Sequence, residues 1–127
     1  KYTSTSLTTW GKNIKEYISE CAQFIKNLKD QGYSIAAFGA AAKGCVFLNA
    51  MNLSFKEIEY IIDDTKLKQG KFMPGTGIEI VSRNHLRQHP ADFILILAHN
   101  FSEYIINSLN SSFKGKFIKL IPSPTII

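Results

Sequence analysis

The sequence predicts a three-layer α/β sandwich around a mainly parallel sheet of about five strands. Three observations carry that expectation. Short apolar runs alternate with amphipathic segments from residue 33 to the end of the chain, the pattern of a parallel sheet covered by helices. The runs "YSIAAFG" and "ADFILILAHN" are apolar at consecutive positions and not at alternate ones, as strands buried on both faces are. A long amphipathic stretch precedes the first run and stands outside the alternation.

That stretch covers residues 10–31, where Ile14, Tyr17, Ile18, Cys21, Phe24, Ile25 and Leu28 recur at steps of three and four, the helical period. Gly32 ends it. A strand follows over 33–39, then a helix over about 41–52 with Val46, Phe47, Ala50 and Met51 inward, then a strand over 57–63. "DTKLKQGKFMPGTG", with Gly70, Pro74, Gly75 and Gly77, reads as an extended loop. "IEIVS" is a short strand whose Ser82 is placed to cap the helix "RNHLRQH". "ADFILILAHN" is the strongest strand signal. Asn100 or Ser102 caps the helix "FSEYIINSLNSSF", with Tyr104, Ile105, Ile106 and Leu109 inward. "GKFIKLIP" supplies the last strand, ended by Pro122. Short βα connections of this kind predict a Rossmann-like sheet of order 3-2-1-4-5 with an additional N-terminal helix.

The chain has 127 residues, 45% of them hydrophobic, which fits one domain over residues 1–127 with a single core. It holds no apolar run near the roughly 20 residues of a membrane span, and its first residues lack the apolar centre of a secretory signal. A cytoplasmic protein without membrane contact is expected. A start at Lys1 suits a piece excised from a longer polypeptide. Cys21 and Cys45 have no neighbouring cysteine at metal-ligand spacing and are read as buried thiols. The net charge is +5, but the lysines are scattered and form no basic helix interleaved with aromatics, so nucleic acid is not expected as a partner.

"FGAAAKG" follows the first predicted strand. In the dinucleotide fingerprint the three glycine places serve the tight turn, the phosphate approach and the helix packing. Here they read Gly39, Ala41 and Gly44. The methyl of Ala41 stands where a pyrophosphate would lie, while the helix start can still hold an anion and Lys43 adds a positive charge. A tight turn of small residues that binds nothing is the plain alternative. Asp63 ends the second strand at the distance of the ribose-binding acid in that fingerprint; an aspartate at a strand end also simply caps turns. Gly39, Asp63, His99 and Asn100 all arrive at the carboxyl edge of the sheet, where open α/β sheets bind ligands. His85 and His89 are four residues apart but lack a third ligand, and read as surface residues. No nucleophile elbow or catalytic cysteine motif is present.

"AAFGAAAKGCVFLNAMNL", "YIIDDTKLKQGKFMPGTGIEIVS", "FILILAHN" and "KGKFIKLIP" together resemble the C-terminal domain of the S-adenosylmethionine-dependent sugar C-methyltransferases, from the first helix to Pro122. "GAAAKG" and "DDTKLKQGKFMPGTGIEI" carry most of the likeness. At Ala98 and His99 the chain departs from the aromatic residue that the family pattern leads us to expect before the asparagine. The resemblance implies a nucleotide-sugar-binding domain without catalytic residues or metal of its own. Its partners would be a nucleotide-linked sugar and a central methyltransferase domain of the same polypeptide, which would hold S-adenosylmethionine. By position, Gly39, Ala40, Ala41, Ala42, Lys43 and Gly44 would form the phosphate-side turn and Asp63 would lie by the nucleotide. Lys68, Gln69, Gly70, Pro74, Gly75 and Thr76 would form a loop over the crevice, and His99 and Asn100 would close its floor. A small NAD-dependent oxidoreductase and a purely structural or dimerisation domain are the other readings.

Overall fold

The computed structural model describes the backbone of residues 4–121 and 123–127, and side-chain surroundings from residue 13 onward apart from residue 122. Helix α1 (Ser4–Asp30) starts six residues before the expected position. It ends as its sequence requires: Gly32 takes φ +93, its N–H donates to Lys29 O, and the Tyr33 N–H donates to Leu28 O. This pair of bonds closes the last carbonyls of a helix, and the left-handed residue within it favours glycine.

The remaining elements are β1 (Ile35–Phe38), α2 (Ala42–Ala50), β2 (Ile61–Ile62), β3 (Phe72–Met73), β4 (Ile78–Val81), α3 (Asn84–Gln88), β5 (Phe93–Ile96), α4 (Ser102–Leu109), β6 (Lys116–Lys119) and β7 (Thr125–Ile126). They build a seven-stranded sheet in the order β3-β4-β2-β1-β5-β6-β7. Five strands are parallel, and among themselves they follow the expected 3-2-1-4-5. The additions are two short antiparallel strands: β3 pairs with β4, and β7 with β6. Thus the expected loop over 64–77 contains half of a hairpin. Pro122, the expected terminator, lies outside the described residues.

Side chains of β1 alternate between two cores, as the pleat demands. Ile35 and Ala37 join Cys21, Ile25 and Leu28 of α1 and Leu48 of α2. Ala36 and Phe38 join Leu86 of α3 and Ile105 and Leu109 of α4. This is the three-layer sandwich, with β1 at its centre. Among the described residues no helix is long and apolar enough to cross a membrane.

Several local expectations need correction. Val46 is 69% exposed and Ala50 is exposed; the buried face of α2 holds Gly44 and Leu48, followed by Met51. Glycine carries no side chain and so no hydrophobic signal, yet its lack of a Cβ is what lets α2 approach the sheet. Tyr104 is 66% exposed, whereas Ile105 and Leu109 are buried. Cys45 is only partly buried. The expected caps are absent too: neither α3 nor α4 has a side-chain cap bond, because Ser82 contributes its backbone carbonyl to the first turn of α3 and a 3-10 turn over His99–Phe101 leads into α4.

Candidate functional site

The chain leaves β1 through Gly39, which takes φ +108. A methyl group there would meet Ala98 Cβ at 3.0 Å, so both backbone conformation and space call for glycine. Ala41 then adopts extended geometry and α2 begins. Gly44 lies under this turn: a Cβ on it would stand 3.1 Å from both Gly39 O and Leu97 Cβ. The glycine turn is therefore pressed onto the end of β5, and the first turn of α2 sits at the carboxyl edge of the two central strands. Its leading N–H groups have no helical partners, and Lys43, exposed in that turn, takes part in no ion pair among the described residues.

The loop after β2 holds the turn from the other side. Asp63 accepts hydrogen bonds from the N–H groups of Ala40 and Thr65, both at 2.8 Å. Lys68 Nζ donates to Ala40 O at 3.1 Å, and Gln69 Nε2 donates to Asp63 O at 2.8 Å. Partial burial disfavours the Asp63 carboxylate, but the Thr65 and Ala40 hydrogen bonds and the Lys68 charge outweigh it and hold its pKa below the usual value. Next to it, Arg83 forks onto both oxygens of Asp64 at 2.8 and 2.9 Å, donates to Ser108 Oγ at 2.9 Å, and lies 5.1 Å from the Phe38 ring centroid.

The second half of the loop docks elsewhere. Asn49 Nδ2 donates to Pro74 O at 3.1 Å, and a Cβ on Gly75 would collide with the Asn49 amide at 2.3 Å. Thr76 is buried; its hydroxyl donates to Met73 O and accepts from the Ile78 N–H. Gly70 N–H donates to Ile80 O at 2.8 Å. Together these contacts make "DDTKLKQGKFMPGTG" a clasp that grips the β1–α2 turn at Ala40 and α2 near its end at Asn49.

On the opposite side of the turn lies a cleft of about 650 Å³. Of the candidate residues, Ala41, Ala42, Lys43, Gly44, His99 and Asn100 line it. Gly39 and Ala40 form the turn behind, while Asp63, Lys68, Gln69, Gly70, Pro74, Gly75 and Thr76 belong to the clasp. Tyr17, Phe47, Leu97, Ala98, Phe101 and Ile121, which are not among the residues expected from the sequence, supply the other half of the lining. The signal for Tyr17 and Phe47 was their place on inward helix faces, which reads as core. Tyr17 donates its hydroxyl to Leu120 O, and burial, with the Cys21 thiol beside it, pushes its pKa up to about 12. It acts as an anchored wall and stays protonated. His99 Nε2 and Asn100 Oδ1 lie 3.0 Å apart. Chemically the cleft offers apolar and aromatic surface, one free cation among its lining residues, and a helix start suited to an anion.

The pair His85 and His89 stands away from this cleft. His85 is half-buried, its ring edge-on to Tyr60 with centroids 4.5 Å apart; burial and the neighbouring His89 hold its pKa below the ordinary value.

Residues 2–122 match the model of the C-methyltransferase C-terminal domain. The chain belongs to that family. A curated relative, the C-methyltransferase NovU of Streptomyces niveus, is 34% identical over 111 residues, which cover 86% of this chain and 26% of the relative. A C-methyltransferase C-terminal domain of this kind thus spans about a quarter of that relative's length. The clasp string and the glycine turn, which carried the resemblance, both lie within the matched residues.

Proposed function

We infer that this C-methyltransferase C-terminal domain holds a nucleotide-linked sugar in the cleft between α2 and the end of β5. Methyl transfer then takes place in the cytoplasm, with S-adenosylmethionine bound by a central domain of the same polypeptide. The observation that carries this reading is the meeting, at the carboxyl edge of the two central strands, of the first turn of α2, Lys43 free of any ion pair among the described residues, and a largely apolar cleft of about 650 Å³. The contribution is positional. Helix-start amides and Lys43 offset phosphate charge, and the held substrate presents its acidic carbon to the donor in a defined orientation. The chain supplies no methyl donor, and no catalytic step is assigned to its residues.

Asp63 counts against a nicotinamide dinucleotide. In that arrangement the acid bonds a ribose, whereas here one carboxylate oxygen accepts from Ala40 and the other from Thr65. The reading is tested by calorimetric titration with a thymidine diphosphate sugar. Wild-type protein is expected to bind, and Lys43→Glu to bind at least ten-fold more weakly with its fold intact, since Lys43 is exposed. A folded sample that releases no heat at millimolar ligand would sink it.

A further inference from the structure

The cleft has two chemically different ends along one face of α2. Lys43 stands in the first turn and Phe47 one turn later, a spacing that puts their Cβ atoms about 5–6 Å apart. The Phe47 ring is within 10° of parallel to that of Tyr17, centroids 6.3 Å apart, and Tyr17 is fixed through its hydroxyl on Leu120 O. Phe101 reaches the same cleft from the β5–α4 connection and is 63% exposed. Apart from Lys43, the polar side chains facing this space are Tyr17, whose hydroxyl is already bonded, and the adjacent His99 and Asn100. A sugar pressed against such walls would leave hydroxyl groups without partners, which is costly. A nucleobase instead offers two π faces to rings and keeps its hydrogen-bonding groups at one edge. An anionic ligand with a flat apolar body matches the cation at one end and the rings at the other.

The geometry points to Tyr17, Phe47 and Phe101 as a platform that stacks the base of a nucleoside diphosphate, with the diphosphate at Lys43 and the start of α2. This assignment rests on the proposed function and refines it: the base lies in the cleft and anchors the substrate, while the sugar projects out of it.

The test is calorimetric titration of wild type, Phe101→Leu, Phe101→Trp, Phe47→Leu and Lys43→Ala with thymidine 5′-diphosphate and, separately, with inorganic pyrophosphate. Saturation-transfer NMR on the wild type with a thymidine diphosphate sugar accompanies it. Phe101→Leu is expected to weaken the nucleotide about ten-fold, or ~1.4 kcal/mol, which lies within the range of base–aromatic stacking. It should leave pyrophosphate unchanged, and Phe101→Trp should restore nucleotide affinity. Phe47→Leu is expected to act like Phe101→Leu, and Lys43→Ala to weaken both ligands. Saturation should pass most strongly to the base protons. Because Phe101 is exposed, its replacement does not disturb the core. If wild type binds the nucleotide but Phe101→Leu matches it or loses both ligands equally, or Phe101→Trp binds no better than Phe101→Leu, or the sugar protons receive the strongest transfer, the platform is overturned while the proposed function stands. If wild type binds no nucleotide at millimolar concentration, both fall.

Discussion

Replacing Asp63 by asparagine tests whether the clasp, rather than a ligand, is what this carboxylate serves. Asp63→Asn keeps the size of the side chain but removes the charge and leaves one oxygen to satisfy two N–H donors, those of Ala40 and Thr65. A charge-assisted hydrogen bond contributes about 1.5–3 kcal/mol. Partial exposure of Asp63 moves the expected cost to the lower end, about 1.5 kcal/mol. For a chain of 127 residues this corresponds to a fall in Tm of about 5 °C. The pH dependence gives a second, independent check. The folded-state pKa of Asp63 lies below its unfolded value, so its contribution is fully present above the unfolded value of about 3.9 and is lost as pH falls through the folded value. Thermal unfolding followed by circular dichroism from neutral pH into acid should show the difference between wild type and Asp63→Asn shrinking in acid. Equal melting temperatures at pH 7, or a difference that persists unchanged in acid, would refute the clasp.

Two further expectations follow from the packing and the titrating groups. Gly44→Ala gains about 1 kcal/mol of helix propensity, yet its methyl would press on Gly39 O and Leu97 Cβ at 3.1 Å. Overpacking against backbone costs about 1–3 kcal/mol, so urea unfolding should show net destabilisation and nucleotide titration a weakened site; a more stable variant would contradict the close approach of α2. His85 is held neutral by burial and by His89, so NMR titration should place its midpoint below the ordinary value of about 6.5. Since the folded pKa is the lower one, stability should fall as pH drops through 6.5 toward that midpoint, and His85→Gln should flatten the slope; an unshifted midpoint would contradict the half-buried placement.

The sheet order was legible because each of its parts is a local signal. Consecutive apolar residues in "IAAF" and "FILI" can be buried on both faces only in a covered sheet, and the short connections between strand and helix leave few topologies. The antiparallel β3 and β7 escaped notice because two-residue strands carry no periodicity. The candidate site was legible only in part, for a different reason. Glycines, aspartates and lysines at a strand edge stand out in a sequence whether they face a ligand or hold a loop, so Asp63 and Lys68 were grouped with Lys43 although they lie on the other side of the turn. Conversely, Tyr17 and Phe47 fit the helical period so well that they read as core, and only the packing of α1 against α2 reveals that their rings border open space. Phe101 opens the predicted helix "FSEYIINSLNSSF", but at its very start the helical period does not say which way the ring faces.

Ala40 is held by both of its backbone polar groups: its N–H by Asp63 and its carbonyl by Lys68. These belong to two successive peptide planes, so neither plane can turn over without breaking a bond. In a trans peptide the C=O and the next N–H point in opposite directions; with Ala40 O directed at Lys68, the Ala41 N–H is aimed away from it. The direction of the first amide at the entrance to α2 is thus set by a lysine 28 positions along the chain. Substitutions in residues 63–70, none of which borders the cleft, should change how anions are received there. In a screen for binding defects the clasp would appear as a remote cluster whose effect is on the aim of a single peptide plane.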